Sequence, residues 1–197
     1  DFIKFFQIMK GKPVTIRLLD PPLHEFIPNN KNSIKNLAKD LEITIPKINA
    51  KIESLKELNP MLGHRGCRLG ITSPEITEMQ ASAIFEAALK LKKEKVKCSP
   101  EIMIPLVGSI EEFIHQKKIV NSIALNLNKK YKTKLNYSIG AMIELPRACI
   151  IADQIAEHAD FISFGTNDLT QTAFGFSRDD VSTFLPNYIK HNIIKKD

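Results

Sequence analysis

The sequence predicts an α/β fold built on parallel strands, and within that class a partial (β/α)8 barrel. Short runs of β-branched and apolar residues alternate with longer stretches that have helical spacing. The predicted strands are apolar on both faces, which is typical of a parallel sheet covered by helices. Polar and charged residues recur at the carboxyl ends of successive predicted strands, which is where barrel enzymes carry their sites.

An open doubly wound sheet would also satisfy this alternation. In such a sheet the functional residues would cluster at one switch point, whereas here they follow several strands in turn. About five strands can be counted where a closed barrel needs eight, so we expect a partial barrel with strands missing at both ends. Because the chain begins with Asp1 rather than Met, we expect residues 1–197 to be one barrel domain and an internal piece of a longer polypeptide.

The first predicted strand is the run 14–19, which stops before Asp20 and two prolines that suit neither a helix nor a sheet. Arg17 lies inside this apolar run and therefore needs a partner or a ligand. Residues 30–57 are expected to form one or two helices. Residues 59–70 are expected to be a loop that leads into a very short strand, and Arg65 is the second arginine assigned to an apolar strand.

Two helix starts can be identified from their capping residues. Ser73, followed by a proline and an acid, begins a helix that keeps its spacing to about residue 95. Its predicted core face consists of Ile76, Met79, Ala83, Ala87 and Leu91. Residues 100–107 form the next predicted strand, and Ser109 with Glu112 then forms a capping box that opens another helix.

The last two predicted strands lead into polar turns. The run 139–144 ends in Glu144, and Pro146 stops the strand. The run 159–164 is expected to be a buried strand that breaks at Gly165, and the next helix is expected to begin over Thr166, Asn167 and Asp168. Glu144 and Asp168 are therefore predicted to lie at the same ends of two neighbouring strands.

These residues together predict a site for a small, multiply charged anion and a divalent metal. Gly165 lets the backbone approach an anion, and amide N–H groups at a helix start point at phosphate oxygens. Mg2+ takes one or two carboxylates besides water and substrate oxygens, so Glu144 and Asp168 are its candidate ligands. Arg17 and Arg65 can bind a phosphate or carboxylate through two hydrogen bonds each. For any one arginine, the alternative is a purely structural ion pair with a strand-end acid.

Composition argues against several other classes of protein. No apolar run approaches the roughly 18 residues of a membrane span. The net charge of +6 comes largely from lysine-rich stretches such as 90–97 and 129–134, which lack the interleaved aromatic residues of a nucleic-acid interface. Cys67, Cys98 and Cys149 fit neither a disulfide framework nor a zinc site, and they indicate a reducing compartment, hence the cytoplasm.

Six long segments resemble one enzyme family: 18–26, 59–68, 101–108, 140–147, 164–171 and 174–180. They resemble the domain that binds phosphoenolpyruvate (PEP) and pyruvate in the pyruvate, phosphate dikinase family of PEP-utilising enzymes. PEP synthase and enzyme I of the sugar phosphotransferase system share the Gly-Thr/Ser-Asn-Asp-Leu core. The first and the last of the six segments look like the dikinases rather than either relative.

The resemblance implies a role for each matching residue. Arg17 would bind the phosphoryl group of PEP, and Arg65 would line the same site. Glu144 and Asp168 would hold Mg2+ and contact the substrate. The further substrate contacts implied are Gly165, Thr166, Asn167 and Arg178.

The resemblance also implies the reaction and the partners. The reaction would be reversible phosphoryl transfer between a phosphohistidine and the enolate of Mg2+-bound pyruvate; the full enzyme would convert ATP, pyruvate and phosphate to AMP, PEP and diphosphate. The family's acid/base cysteine and its phosphohistidine match no segment here, so no catalytic residue is expected in this chain, and the chain alone is expected to be inactive. The implied partners are PEP or pyruvate, the phosphohistidine domain of the same full-length chain, and a second copy in a homodimer. The alternatives are a non-catalytic barrel remnant and the equivalent domain of PEP synthase or of enzyme I of the phosphotransferase system.

Overall fold

Four parallel strands form one curled sheet in the computed structural model, which describes residues 1–28, 30–55, 61–177 and 179–195. The strands are β1 (Pro13–Arg17), β2 (Ser99–Ile104), β3 (Ser138–Ile143) and β4 (Ile162–Phe164). Each strand pairs with the next one along the chain, in the order β1-β2-β3-β4. A sheet whose order never reverses is that of a barrel rather than of a doubly wound fold, so the predicted partial barrel is confirmed.

Helices lie before β1, between the strands and after β4. They are α1 (Phe2–Ile8), α2 (Lys31–Asp40), α3 (Ile45–Ser54), α4 (Gly66–Thr72), α5 (Pro74–Lys93), α6 (Ile110–Tyr131), α7 (Pro146–Ile150), α8 (Ala152–Ala156), α9 (Thr166–Phe174) and α10 (Leu185–Lys190). Short 3-10 helices span Leu23–Phe26 and Val181–Thr183. No helix in the described ranges combines the length and the apolar character that crossing a membrane requires.

The core lies between the two central strands and the long helices α5 and α6. The core includes Ile102 and Ile104 of β2 and Ile139 of β3, which are fully buried. Both long helices begin where their capping residues predict. Ser109 accepts from the N–H of Glu112, whose carboxylate accepts in return from the N–H of Ser109, so the predicted capping box is confirmed.

The prediction of a short strand near residue 66 is wrong, because this segment forms the helix α4. Gly66 has a φ of +57°, a left-handed value that turns the chain into the helix. The N–H of Cys67 then donates to the carbonyl of Pro105, which docks α4 beside the end of β2. An apolar run this short does not distinguish a period of 2 from one of 3.6. Arg65 consequently precedes a helix, and the described chain has four strands rather than five.

The prediction that all strands are buried holds only for the centre of the sheet. β4 is an edge strand among the described elements, and Ile162 and Phe164 are 36% and 58% exposed. The prediction of which residues of α5 face the core is also partly wrong. Ala87 and Leu91 are buried as predicted, but Met79 and Ala83 are exposed. The helix buries instead a set that includes Ala81, Ile84, Phe85 and Ala88.

Candidate functional site

The predicted polar residues meet at the carboxyl edge of the sheet. Arg17 is the last residue of β1, Glu144 directly follows β3, and Asp168 lies in the first turn of α9, directly after β4. Because the strands are parallel, their carboxyl ends share one edge. The predicted placement of Glu144 and Asp168 at the ends of neighbouring strands is confirmed, since β3 pairs with β4.

Arg65 links two of these strand ends through its guanidinium group. Its Nη2 donates to Oδ2 of Asp20 at 2.5 Å, and its Nη1 lies 3.4 Å from Oδ1 of Asp168. Asp20 and Arg65 are only 4% and 8% exposed. Burial works against the charge on Arg65, but the hydrogen bond from Asp20 and the charges of Asp20, Asp168 and Glu144 outweigh it and raise the pKa of Arg65. The guanidinium therefore stays protonated.

Arg17 contacts the carboxylate of Asp20 as well, from the solvent side. Its Nη1 lies 3.4 Å from Oδ2 of Asp20 and 3.9 Å from the sulfur of Met142. The side chain of Arg17 is 44% exposed. Arg17 can therefore turn toward an incoming ligand, whereas Arg65 is held inside.

Glu144 is a carboxylate without any exposed surface. Its Oε1 accepts from the N–H of Leu106 at 2.6 Å, while its Oε2 is buried with no hydrogen-bond partner in the described part of the chain. Burial raises the pKa of Glu144 to about 7, the nearby charges of Asp20 and Asp168 act in the same direction, and the N–H of Leu106 and the charge of Arg17 oppose the rise. This oxygen is therefore able to accept from a donor or to bind a cation.

Gly165 allows the turn between β4 and α9 to lie against Glu144. A Cβ atom at this position would be 2.5 Å from both the Cβ and the Oε2 of Glu144, which is too close for any side chain. Glycine is thus required here for the close approach to Glu144, while the predicted approach of its backbone to a substrate anion stays a prediction. The helix begins at Thr166 with Gly165 as its N-cap, which confirms the predicted start.

The remaining predicted residues lie at the margin. Thr166 and Asn167 are on the exposed start of α9, and Asn167 also lines a cavity of about 320 Å3 beside Phe174 and Phe176. Arg178 falls outside the described residues. A larger cavity of about 440 Å3 lies at the opposite, amino-terminal edge of the sheet, where Ser99 and Pro100 begin β2, and it belongs to no part of this site.

Asp20 is the functional-site residue that the sequence-based set left out. Among the described residues, Asp20 is the only acid that forms ion pairs with both Arg17 and Arg65. The sequence did contain a signal for it. Two arginines predicted near one another require a counter-charge, and Asp20 follows Arg17 by three residues at the end of the same strand.

The carboxylates fit a Mg2+ ion that is bound mainly by water and substrate. Within the described ranges, no group of three or more histidine, cysteine, aspartate or glutamate side chains is arranged to hold a metal by itself. Mg2+ commonly uses only one or two carboxylates of the protein. Glu144 and Asp168 provide two, and the unpartnered Oε2 of Glu144 is the kind of oxygen that a cation would satisfy.

Comparisons with known proteins agree with this geometry. Residues 1–192 match the family described as PEP-utilising enzyme, PEP-binding domain. The chain is 50% identical over 198 residues to pyruvate, phosphate dikinase of Rickettsia conorii, which covers all of the chain and 23% of that protein. It is 52% identical over 199 residues to pyruvate, phosphate dikinase 2 of Oryza sativa subsp. japonica, and 51% identical over 199 residues to the chloroplastic pyruvate, phosphate dikinase of Flaveria trinervia.

These matches cover all of the chain but only 22% of the rice protein and 21% of the Flaveria protein. The chain therefore spans about a fifth of the length of the curated relatives it matches. The resemblance that the six segments indicated is confirmed over the whole chain. Together with the strand-end carboxylates and arginines, the match identifies the chain as a member of the PEP-utilising enzymes, through their PEP-binding domain.

Proposed function

We propose that this chain is the PEP- and pyruvate-binding barrel domain of a pyruvate, phosphate dikinase. One observation carries the proposal: two arginines and three acids converge at one edge of the sheet, in a chain about 50% identical to dikinases over its whole length. The activity proposed is reversible phosphoryl transfer between a phosphohistidine and pyruvate, which gives PEP. The three relatives compared above are all pyruvate, phosphate dikinases, which favours a dikinase over PEP synthase or enzyme I.

The arginines and the start of α9 would bind the anionic substrate. Arg17 is exposed enough to reach the phosphoryl group, and its fork of donors suits a phosphate. Arg65 lines the site while it holds Asp168. Thr166 and Asn167 present backbone N–H groups at the helix start, where an anion is stabilised. The N–H of Gly165 donates to the carbonyl of Ile143, so Gly165 would contact the substrate through close approach of its backbone. Arg178 remains a proposed substrate contact on the strength of its motif.

Glu144 and Asp168 are the residues that we propose hold Mg2+. The ion would supply positive charge beside the oxygen on which negative charge develops. The two carboxylates would be preorganised for this role, because Glu144 is fixed by the N–H of Leu106 and Asp168 by Arg65.

The rest of the reaction would be carried by other parts of a longer polypeptide. None of the cysteines is among the strand-end side chains: Cys67 is buried with its thiol bonded to the carbonyl of Leu106, and Cys149 is exposed on α7. We therefore propose that the acid/base cysteine, the phosphohistidine and the ATP site lie outside this chain. We also propose that the full enzyme is a homodimer. Three free cysteines support a reducing compartment, for which we propose the cytoplasm.

Calorimetric titration of oxalate, a mimic of the pyruvate enolate, tests the proposal. We expect oxalate to bind in the presence of Mg2+ and not in the presence of a chelator. Asp168→Asn should remove this binding, whereas the matched control Asp153→Asn, an exposed acid on α8, should leave it unchanged. Binding that is independent of the metal or insensitive to Asp168→Asn would refute the assignment of the metal site.

A further inference from the structure

Asp20 lies at the centre of the arginine arrangement, although the predicted set of site residues did not include it. We propose that Asp20 is a positioning residue that holds the guanidinium groups of Arg17 and Arg65 in place for the anionic substrate. The proposal rests on the function proposed above, in which both arginines serve an anion.

The position of Asp20 is itself fixed from two sides. Its carbonyl accepts from the N–H of Gly66 at 3.2 Å, which ties the end of β1 to the start of α4. Just before it, the side-chain amide of Gln80 on α5 accepts from the N–H of Leu19 at 2.8 Å and donates to the carbonyl of Arg17 at 3.3 Å. The carboxylate is therefore presented from a rigid backbone, which a positioning residue requires.

The carboxylate also offsets a repulsion that the site would otherwise contain. Arg17 and Arg65 contact the same Oδ2 atom, so their terminal nitrogens lie within about 6 Å of one another. Two positive groups this close repel unless an anion lies between them, and burial of Arg65 strengthens the effect. Asp20 provides that anion before the substrate arrives.

The two ion pairs differ in a way that assigns different roles to the arginines. Arg65 is bound at 2.5 Å and is almost fully buried, with its other terminal nitrogen on Asp168. Arg17 is held at 3.4 Å and is 44% exposed. Asp20 therefore fixes Arg65 firmly and Arg17 loosely, so that Arg17 closes on the substrate while Arg65 keeps its place.

The second carboxylate oxygen of Asp20 can accept further hydrogen bonds. Its Oδ1 is buried and has no hydrogen-bond partner in the ranges that the structure describes. It faces the start of α4, since a Cβ placed on Gly66 would be 3.2 Å from it. A carboxylate can accept from an arginine on both oxygens, so Oδ1 can take a second hydrogen bond from Arg65, whose Nε is also buried without a partner in the described ranges.

The test compares Asp20→Asn with Asp168→Asn in the full-length protein. Arginines are modified with a dicarbonyl reagent, and the rate at each site is mapped by mass spectrometry. We expect Arg65 to be protected in the unchanged protein and in Asp168→Asn, and to react about tenfold faster or more in Asp20→Asn, because a charge-assisted hydrogen bond is lost. Exposed Arg147 serves as the internal control. Continued protection of the Cys67 thiol shows that α4 is still folded.

Oxalate affinity in Mg2+ gives the second readout. We expect Asp20→Asn to weaken it about tenfold or more, since both arginines lose their common anchor. Unchanged protection of Arg65 in Asp20→Asn would overturn the proposal.

If Asp20→Asn does not fold, Asp168→Asn decides. Continued protection of Arg65 in this variant supports Asp20 as the anchor, whereas faster modification of Arg65 assigns that role to Asp168. If the unchanged protein binds no oxalate, the proposed function fails, while the rates at Arg65 still decide the positioning role.

Discussion

Replacing Glu144 by glutamine should stabilise the metal-free fold at pH 8 while it removes a proposed ligand of the metal. Burial raises the pKa of this carboxyl from 4.5 to about 7. A raised carboxyl pKa means that the folded state binds the proton more tightly than the unfolded state. The stabilisation by the protonated form is therefore complete below about pH 4.5 and is lost as the pH rises through about 7.

The size of the effect follows from the pKa difference. Each pKa unit corresponds to about 1.4 kcal/mol, so the ionised carboxylate costs about 3 kcal/mol of folding free energy at pH 8. Glutamine resembles the protonated acid in shape and can still accept from the N–H of Leu106. We expect Glu144→Gln to raise the free energy of unfolding by about 1–3 kcal/mol at pH 8 and by clearly less at pH 5.

Urea denaturation followed by circular dichroism, with a chelator present and at low protein concentration, measures this difference at both pH values. Glu157→Gln, which removes an exposed carboxylate at the end of α8, is the matched control and should show no pH-dependent gain. Adding Mg2+ should narrow the gap at pH 8, because the ion binds only the folded protein with Glu144 intact. An equal gain at pH 5 and pH 8, or no gain at all, would refute the reasoning.

Three further outcomes are expected. Under the proposed function, Glu144→Ala or Asp168→Ala in the full-length protein should abolish PEP formation and spare phosphorylation of the proposed phosphohistidine by ATP; loss of both half-reactions, measured with labelled ATP, would contradict the assignment. A thiol reagent should label exposed Cys149 first and Cys67 last, because burial raises the pKa of Cys67 to about 12; equal rates would show that α4 opens readily. At high concentration the 197-residue chain should self-associate through the edge of β4, and Phe164→Lys should reduce this; a sharp, monomeric, cooperative melt of the unchanged chain would argue against it.

The parts of the site that could be predicted are those with local signals. Gly165 stands between an apolar run and a set of helix-start residues, and both features lie within a few positions of each other. Glu144 likewise follows directly on a strand and precedes a proline. Since parallel strands bring their carboxyl ends to one edge, knowing where each strand stops is enough to bring Glu144 and Asp168 together.

The parts that could not be predicted depend on contacts between distant positions. Arg65 is 45 residues from Asp20 and 103 from Asp168 along the chain, so no local pattern indicates that one guanidinium bridges both. Similarly, the exposure of Phe164 is set by whether another strand lies beside β4, which its own sequence does not specify. The apolar residues of a buried strand and of an edge strand look alike.

The order of the strands also bears on how the site is assembled during synthesis. Each strand pairs with its predecessor, so the sheet can grow from β1 toward β4 as the chain emerges from the ribosome. Arg17, Asp20 and Arg65 all precede β2, and α4 docks on Pro105 at the end of that strand. The half of the site that we propose binds the anion can thus form when little more than half of the chain has been made, whereas Asp168, the second proposed metal ligand, arrives only with α9. Under this proposal, a nascent chain would gain its affinity for anions before its affinity for metal.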